Sequence, residues 1–194
     1  DLKTILVETK DKDGKLPSVT IDNIKASYEG TKHLINSGLK NLAFIGVNEE
    51  NMNAWGERYT GFVNALKDSG LEADEDLCYF KNLTVKTGYQ AIQRFTENNK
   101  SFDGIVCASD EIAMGAINAL REKGIKVPED VSVIGFDNNV MGSIFYPKLT
   151  TISQPSYDMG SVAVRMLIKM LNKKELDNPN YVLNYELIKR ESTK

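Results

Sequence analysis

The chain is poor in the residues that most enzymes and metal sites depend on. Its 194 residues include a single histidine, His33, which excludes clusters of imidazole ligands and most histidine-based acid–base chemistry. Two cysteines occur, Cys78 and Cys107, both inside expected strands, so they read as reduced core thiols rather than a disulfide or a metal clamp. No apolar run approaches the roughly 18 residues of a membrane span, and the first residues carry no signal-peptide pattern. Net charge is −3 with no long block of one sign, so these residues lack the basic face that gripping nucleic acid unaided requires. There is no glycine-rich P-loop, no GxGxxG and no Ser-His-Asp set, so neither an enzyme nor a cofactor is expected. What is present is ordinary: 41% hydrophobic and 26% charged residues suit a globular protein of about one or two domains.

Residues 101–138 organise the rest. Gly104-Ile105-Val106-Cys107-Ala108 is a short apolar run of strand formers. Asp110 follows as a good N-cap, with Glu111 in the first turn. Ala113, Ala116, Ile117 and Leu120 then recur at helical spacing, and Gly124 suits a left-handed end. After the turn at Pro128 and Asp130, residues 131–134 form a second buried strand ending in Gly135-Phe136-Asp137-Asn138. Two short strands joined by a helix predict a parallel βαβ unit, covered on both faces. Ligands of such sheets bind outside the carboxyl ends of the strands, where Ser109, Asp110, Asp137 and Asn138 fall.

The remaining sequence alternates in the same way, which makes the class α/β. Strands are expected at 4–7, 19–21, 42–46, 77–80, 149–152 and 181–188, and helices at 28–37, 57–69, 87–98 and 156–172. Residues 48–53 read as a polar loop and 141–147 as an irregular apolar one. Residues 42–138 supply four strands, enough for a sheet. The first forty supply two strands and one helix, too few for a second closed unit.

Four segments carry a family resemblance: SVTIDNIKASYEGTKHLINSGLKNLAFIG, the RYTGF of 58–62, IVCASDEIAMGAINALREKGIKVPEDVSVIGFDN, and PKLTTISQPSYDMGSVAVRMLIKML. The chain resembles the effector-binding domain of the LacI/GalR family of bacterial transcription regulators over nearly its whole length. The resemblance implies a periplasmic-binding-protein-like fold, two α/β subdomains around a ligand with three chain crossings, near 38–41, 154–156 and 180–182. Residues 1–40 and 155–180 would form a partial N-terminal subdomain. Residues 41–154 and 181–194 would form a nearly complete C-terminal one. The family's helix-turn-helix precedes this region, so the chain reads as the C-terminal part of a longer, cytoplasmic regulator that meets DNA through residues not present here. A secreted ribose-type sugar-binding protein shares the fold and is the second reading.

The expected effector is a sugar or sugar phosphate. Arg58, whose planar fork can hold two hydroxyls or a carboxylate, matches an effector-contacting arginine of the family, although a surface arginine lying over Trp55 or Tyr59 would look the same. Asp137 suits a pair of sugar hydroxyls or a purine N–H, or makes a local Asp-Asn turn. Ser109 is the expected contact beside Asp110, read mainly as the cap, and Asp22 and Asn23 would close the cleft from the other side. Trp55, Phe80, Phe136 and Tyr146 are aromatic candidates for covering a sugar ring, though large aromatics mainly fill space. Leu83 stands where relatives place an aromatic.

Two surfaces complete the expectations. Met141, Ile144 and Phe145, with Met114 and Ile117, would make an apolar patch that pairs two subunits into a homodimer, or is buried under its own loop. The tail of the match is especially similar to the catabolite-control-protein branch of the family. There, residues matching Tyr157, Asp158, Val162, Arg165 and Lys169 bind serine-phosphorylated HPr; a plain solvated helix face is the other reading.

Overall fold

The structure is a computed structural model that describes residues 2–47 and 54–194. The expected polar loop at 48–53 lies outside the described residues.

Two sheets organise the described residues. The larger has six strands in the order β4-β3-β5-β6-β7-β9: β3 (Leu42–Gly46), β4 (Cys78–Phe80), β5 (Gly104–Cys107), β6 (Ser132–Asp137), β7 (Thr150–Ser153) and β9 (Glu186–Ile188). All neighbours run parallel except β9, which is antiparallel to β7. Strand β3, LAFIG, is buried at every position, as expected of a strand covered on both faces. The smaller sheet has three parallel strands, β1 (Leu6–Val7), β2 (Ser18–Ile21) and β8 (Asn180–Leu183), in the order β1-β2-β8.

Helices α1 (Asn23–Asn36), α2 (Ala54–Lys67), α3 (Val85–Glu97) and α4 (Asp110–Glu122) flank the large sheet. Helix α1 pairs with α2, and α3 with α4. A Cβ at Gly30 of α1 would meet the Ile134 side chain, whereas one at the adjacent Gly135 would meet Asp110 of α4. Successive strand residues point to opposite faces, so α1 and α4 lie on opposite sides of the sheet. The α3–α4 crossing is close: a Cβ at Gly88 would lie 1.9 Å from the Ile112 carbonyl oxygen, and one at Gly115 1.9 Å from that of Val85. Helix α6 (Ser156–Leu171) covers the small sheet, where Met159, Ala163 and Met166 pack with Val19, Ile21, Tyr181 and Leu183.

Several expectations need correction. The span 181–188 is two strands in two sheets, because Tyr181 and Leu183 register with Val19 and Ile21 while Leu187 and Ile188 register with Ile152 and Thr151. Residues 181–183 therefore belong with the small sheet. Helix α1 starts at Asn23, capped by Asp22, and packs on the large sheet with Leu34 in its core. The chain passes from the small sheet to the large-sheet helix α1 at 21–23 rather than at 38–41, from β7 to α6 at 153–156, and from β8 to β9 at 183–186. The irregular loop holds a short helix, α5 (Val140–Ile144).

Candidate functional site

The parallel strands of the large sheet end side by side, and the residues that follow them converge. Arg58, one turn into α2, is only 2% exposed. Its Nε donates to Asn23 Oδ1 at 3.0 Å, and its Nη1 to the Ala108 carbonyl, past the end of β5, at 2.6 Å. The same Nη1 reaches Asp137 Oδ1, at the end of β6, at 3.4 Å. Beneath it lies the Phe136 ring, 3.6 Å from Cζ to the centroid, a cation–π contact inside the protein.

The small sheet supplies the other side. Glu8 follows β1, and Asp22 and Asn23 follow β2. Gln154, at the second crossing, donates from Nε2 to Asp137 Oδ1 at 2.6 Å and to Glu8 Oε1 at 2.7 Å. Asn23 in turn donates to Glu57 Oε2 at 3.3 Å, and Lys10 pairs with Glu57 Oε1 at 3.1 Å. A continuous polar chain, Glu8–Gln154–Asp137–Arg58–Asn23–Glu57–Lys10, therefore joins the two strand edges. Among the described residues every bond to the Asp137 carboxylate lands on Oδ1, and its side chain is 39% exposed. Burial pushes the Asp137 carboxyl above the usual range, opposed by Arg58 and Gln154. Burial lowers the Arg58 guanidinium and its carboxylate neighbours raise it, but an arginine stays charged throughout.

Asp137 stands on a bent platform. It has φ +107° and Asn138 has φ +55°, two consecutive non-glycine residues in a sparsely populated region. Six hydrogen bonds brace this turn. Asp110 accepts the Asn139 N–H and the Thr151 hydroxyl, each at 2.6 Å. Asn138 N donates to Thr151 Oγ1 at 3.3 Å, and Asn138 Nδ2 to Ser153 Oγ at 3.2 Å. Arg190 donates to Asn138 Oδ1 at 2.6 Å and to the Leu149 carbonyl at 2.7 Å.

Arg58, Asp137 and Asn23 thus come together, while the other candidates fall elsewhere. Ser109 and Asp110 exchange roles: Ser109 Oγ accepts Ile112 N and caps α4, whereas Asp110 is the first helical residue and is fully buried under the 137–139 turn. Asp22 is an exposed cap that accepts from Lys25 N at 2.9 Å. Phe136 is the shelf under Arg58, and Phe80 packs edge-on to Tyr59 inside an aromatic cluster with Phe44. Trp55 is half-buried in the first turn of α2, Leu83 packs on the main core, and Tyr146 is exposed beside Pro147. Glu8 and Gln154 were not among the sequence candidates. Each directly follows a parallel strand, the one signal that points to them.

The two expected surfaces divide. Met141 and Ile144 are exposed, joined by Val140 and Tyr146, with Phe145 half-buried. Met114 and Ile117 are instead buried within the chain's own fold, Ile117 in the main core, so they add nothing to an exposed patch. On α6, Tyr157, Asp158 and Arg165 face solvent and Val162 packs partly on the small core. Lys169 pairs with Asp177 at 2.7 Å beside a cavity of about 370 Å³ lined also by Val162 and Arg165. Among the described residues there is no group of side chains fit to hold a metal ion, and no helix long and apolar enough to cross a membrane.

Residues 31–193 match the family described as periplasmic binding protein-like domain. The chain is 64% identical over 193 residues to the HTH-type transcriptional regulator RegA of Clostridium saccharobutylicum, covering 100% of this chain and 58% of that protein. Its structure superposes on the transcription regulator CcpA of Lactococcus lactis with a TM-score of 0.92 at 36% identity, over 99% of this chain and 70% of that one. It also superposes on the transcriptional regulator CelR in complex with cellobiose, with a TM-score of 0.88 at 27% identity, over 97% and 64%.

Proposed function

Because this chain belongs to the LacI-type transcriptional regulators and carries their periplasmic-binding-protein-like domain, we propose that it is the part that senses a small effector. The effector is a sugar or sugar phosphate held between the carboxyl edges of the two sheets. Its relatives are transcriptional regulators, not enzymes, which also weighs against a secreted transport protein. The observation that carries the reading is the polar chain from Glu8 through Gln154, Asp137 and Arg58 to Asn23. It ties the two edges to each other and leaves Asp137 Oδ2 and Arg58 Nη2 without a bond among the described residues. Those atoms suit a pair of neighbouring hydroxyls. A guest that inserts into this chain exchanges its bonds for bonds to the guest, and so favours one spacing of the two sheets over another. In the cytoplasmic parent protein that shift would reach DNA through a helix-turn-helix outside these residues.

The test is calorimetric titration with cellobiose, other mono- and disaccharides, and glucose 6-phosphate. A saturable heat from at least one sugar is expected. Asp137→Asn loses one charged acceptor and is expected to weaken that binding by about 10- to 100-fold. An Asn variant that binds as tightly as the parent sinks the assignment.

The exposed patch of Val140, Met141, Ile144 and Tyr146, flanked by Phe145, is the proposed homodimer face. Ile144→Glu is expected to turn a dimer into a monomer in sedimentation, with the far-UV spectrum unchanged; a variant that sediments as the parent does would remove Ile144 from the interface. Helix α6, through Tyr157, Asp158, Val162 and Arg165, is the proposed face for serine-phosphorylated HPr. Lys169 joins it once released from Asp177.

A further inference from the structure

We propose that Asp110 is a positioning residue, which holds the Asp137 turn in place from beneath without touching the ligand, and that protonating it loosens that turn. The proposal rests on the effector reading of the Asp137 site. Three observations meet at this carboxylate. First, it is completely buried and both oxygens are used, Oδ1 by the Thr151 hydroxyl and Oδ2 by the Asn139 N–H. Second, the sequence makes room for it: a Cβ at Gly135 would fall 2.3 Å from Oδ1, so only glycine fits opposite. Third, what it holds is the pair Asp137 and Asn138 with positive φ, a conformation that persists only where its surroundings over-determine it. Thr151 relays the hold, because its Oγ1 donates to Asp110 and accepts from Asn138 N.

The ionised form accepts both bonds at 2.6 Å, whereas a proton on Oδ1 reverses the Thr151 bond, turns that hydroxyl toward the Ile152 carbonyl at 3.4 Å and takes the charge out of the Asn139 bond, so the hold on the turn weakens. Burial pushes the Asp110 carboxyl up to about 6, against the pull of the Thr151 and Asn139 bonds. The charged or titratable groups around it are Cys107 on β5, Asp137 on β6, Arg58 on α2 and Arg190 beyond β9. Of these, Asp137 and Arg190 act on Asp110 in opposite directions. The sign follows. The folded chain keeps a proton on Asp110 that the unfolded chain releases near its ordinary 3.8, so this group's contribution to stability is present in acid and is lost as pH rises through about 6. At neutral pH the fold therefore carries a costly buried charge, in the form that grips the turn.

Amide and carboxyl carbon resonances recorded from pH 4.5 to 8 test this directly. Asn138 and Asn139 amides are expected to titrate with the Asp110 midpoint in the parent protein and to lose that midpoint in Asp110→Asn. Thr151→Val is expected to abolish the response of Asn138, and Thr151→Ser to restore it; this pair serves also if Asp110→Asn does not fold. Turn amides that ignore the Asp110 midpoint, or that keep it in Asp110→Asn, overturn the proposal. In parallel, cellobiose titrated at pH 5 and pH 7.5 is expected to bind about 5-fold or more weaker at the lower pH in the parent, and without that step in Asp110→Asn. If no tested sugar binds at either pH, the effector reading is at fault, while the resonances still decide the role of Asp110.

Discussion

Arg58→Ala is expected to lose effector binding altogether and to destabilise the fold by about 3 kcal/mol or more. The side chain is almost wholly buried, so its removal strands groups that water cannot reach. The Ala108 carbonyl loses a 2.6 Å charged donor, Asn23 Oδ1 loses its bond to Nε, and the Phe136 ring loses the plane stacked on it. The ion pair with Asp137 adds less, because that carboxylate is 39% exposed and the contact is a long 3.4 Å. Most of the loss therefore comes from hydrogen bonds and packing. Arg58→Lys separates these effects: it keeps the charge but cannot serve Asn23, Ala108 and Asp137 together, and its flexible ammonium does not stack. Urea denaturation should place it between the parent and the alanine variant, while sugar titration should place it near the alanine variant. An Arg58→Ala protein as stable as its parent would mean the buried guanidinium is not what joins α2 to the strand ends.

The same chemical change should have opposite signs in different helices. Gly88→Ala in α3 puts a methyl 1.9 Å from the Ile112 carbonyl oxygen, and the reciprocal Gly115→Ala does the same against Val85. Backbone atoms cannot step aside as a flexible side chain can, so α3 and α4 must separate. Overpacking of this kind costs about 1–3 kcal/mol, and more where backbone is struck. Alanine favours a helix over glycine by only about 1 kcal/mol, so the clash wins. At Gly160 of α6 the added methyl meets open space, and the propensity term acts alone. Gly160→Ala should therefore raise the urea midpoint, and Gly88→Ala and Gly115→Ala should lower it. A Gly88→Ala protein more stable than its parent would show that the α3–α4 crossing is slack.

How far the sequence led differs from element to element. The βαβ run at 101–138 was legible because its strands are short apolar blocks and its helix keeps one apolar face. The start of α1 was hidden, since Asn23, Ser27 and Gly30 are buried although they are not apolar, and Gly30 is buried because the helix lies against Ile134 and Ile152. The split of 181–188 was invisible for another reason: the alternation of side chains continues through both halves, and only partners distant in sequence divide them. Ser109 and Asp110 are both good caps, and the choice between them is made by the hollow at Gly135, which lies far along the chain and is brought against Asp110 only by the fold. Asp137 was singled out by its strand-end position, and Arg58 mainly by the family resemblance. Glu8 and Gln154 were not, because nothing local distinguishes them from other polar residues at strand ends.

The three crossings at 21–23, 153–156 and 183–186 have a mechanical consequence. Asn23 and Gln154 are not merely near the pivots between the sheets; they are part of them. A few degrees of backbone twist there swings the very amides that grip Arg58 and Asp137. Lever and latch would share the same residues, so under the proposed function any tilt of the sheets would re-aim the groups offered to the guest.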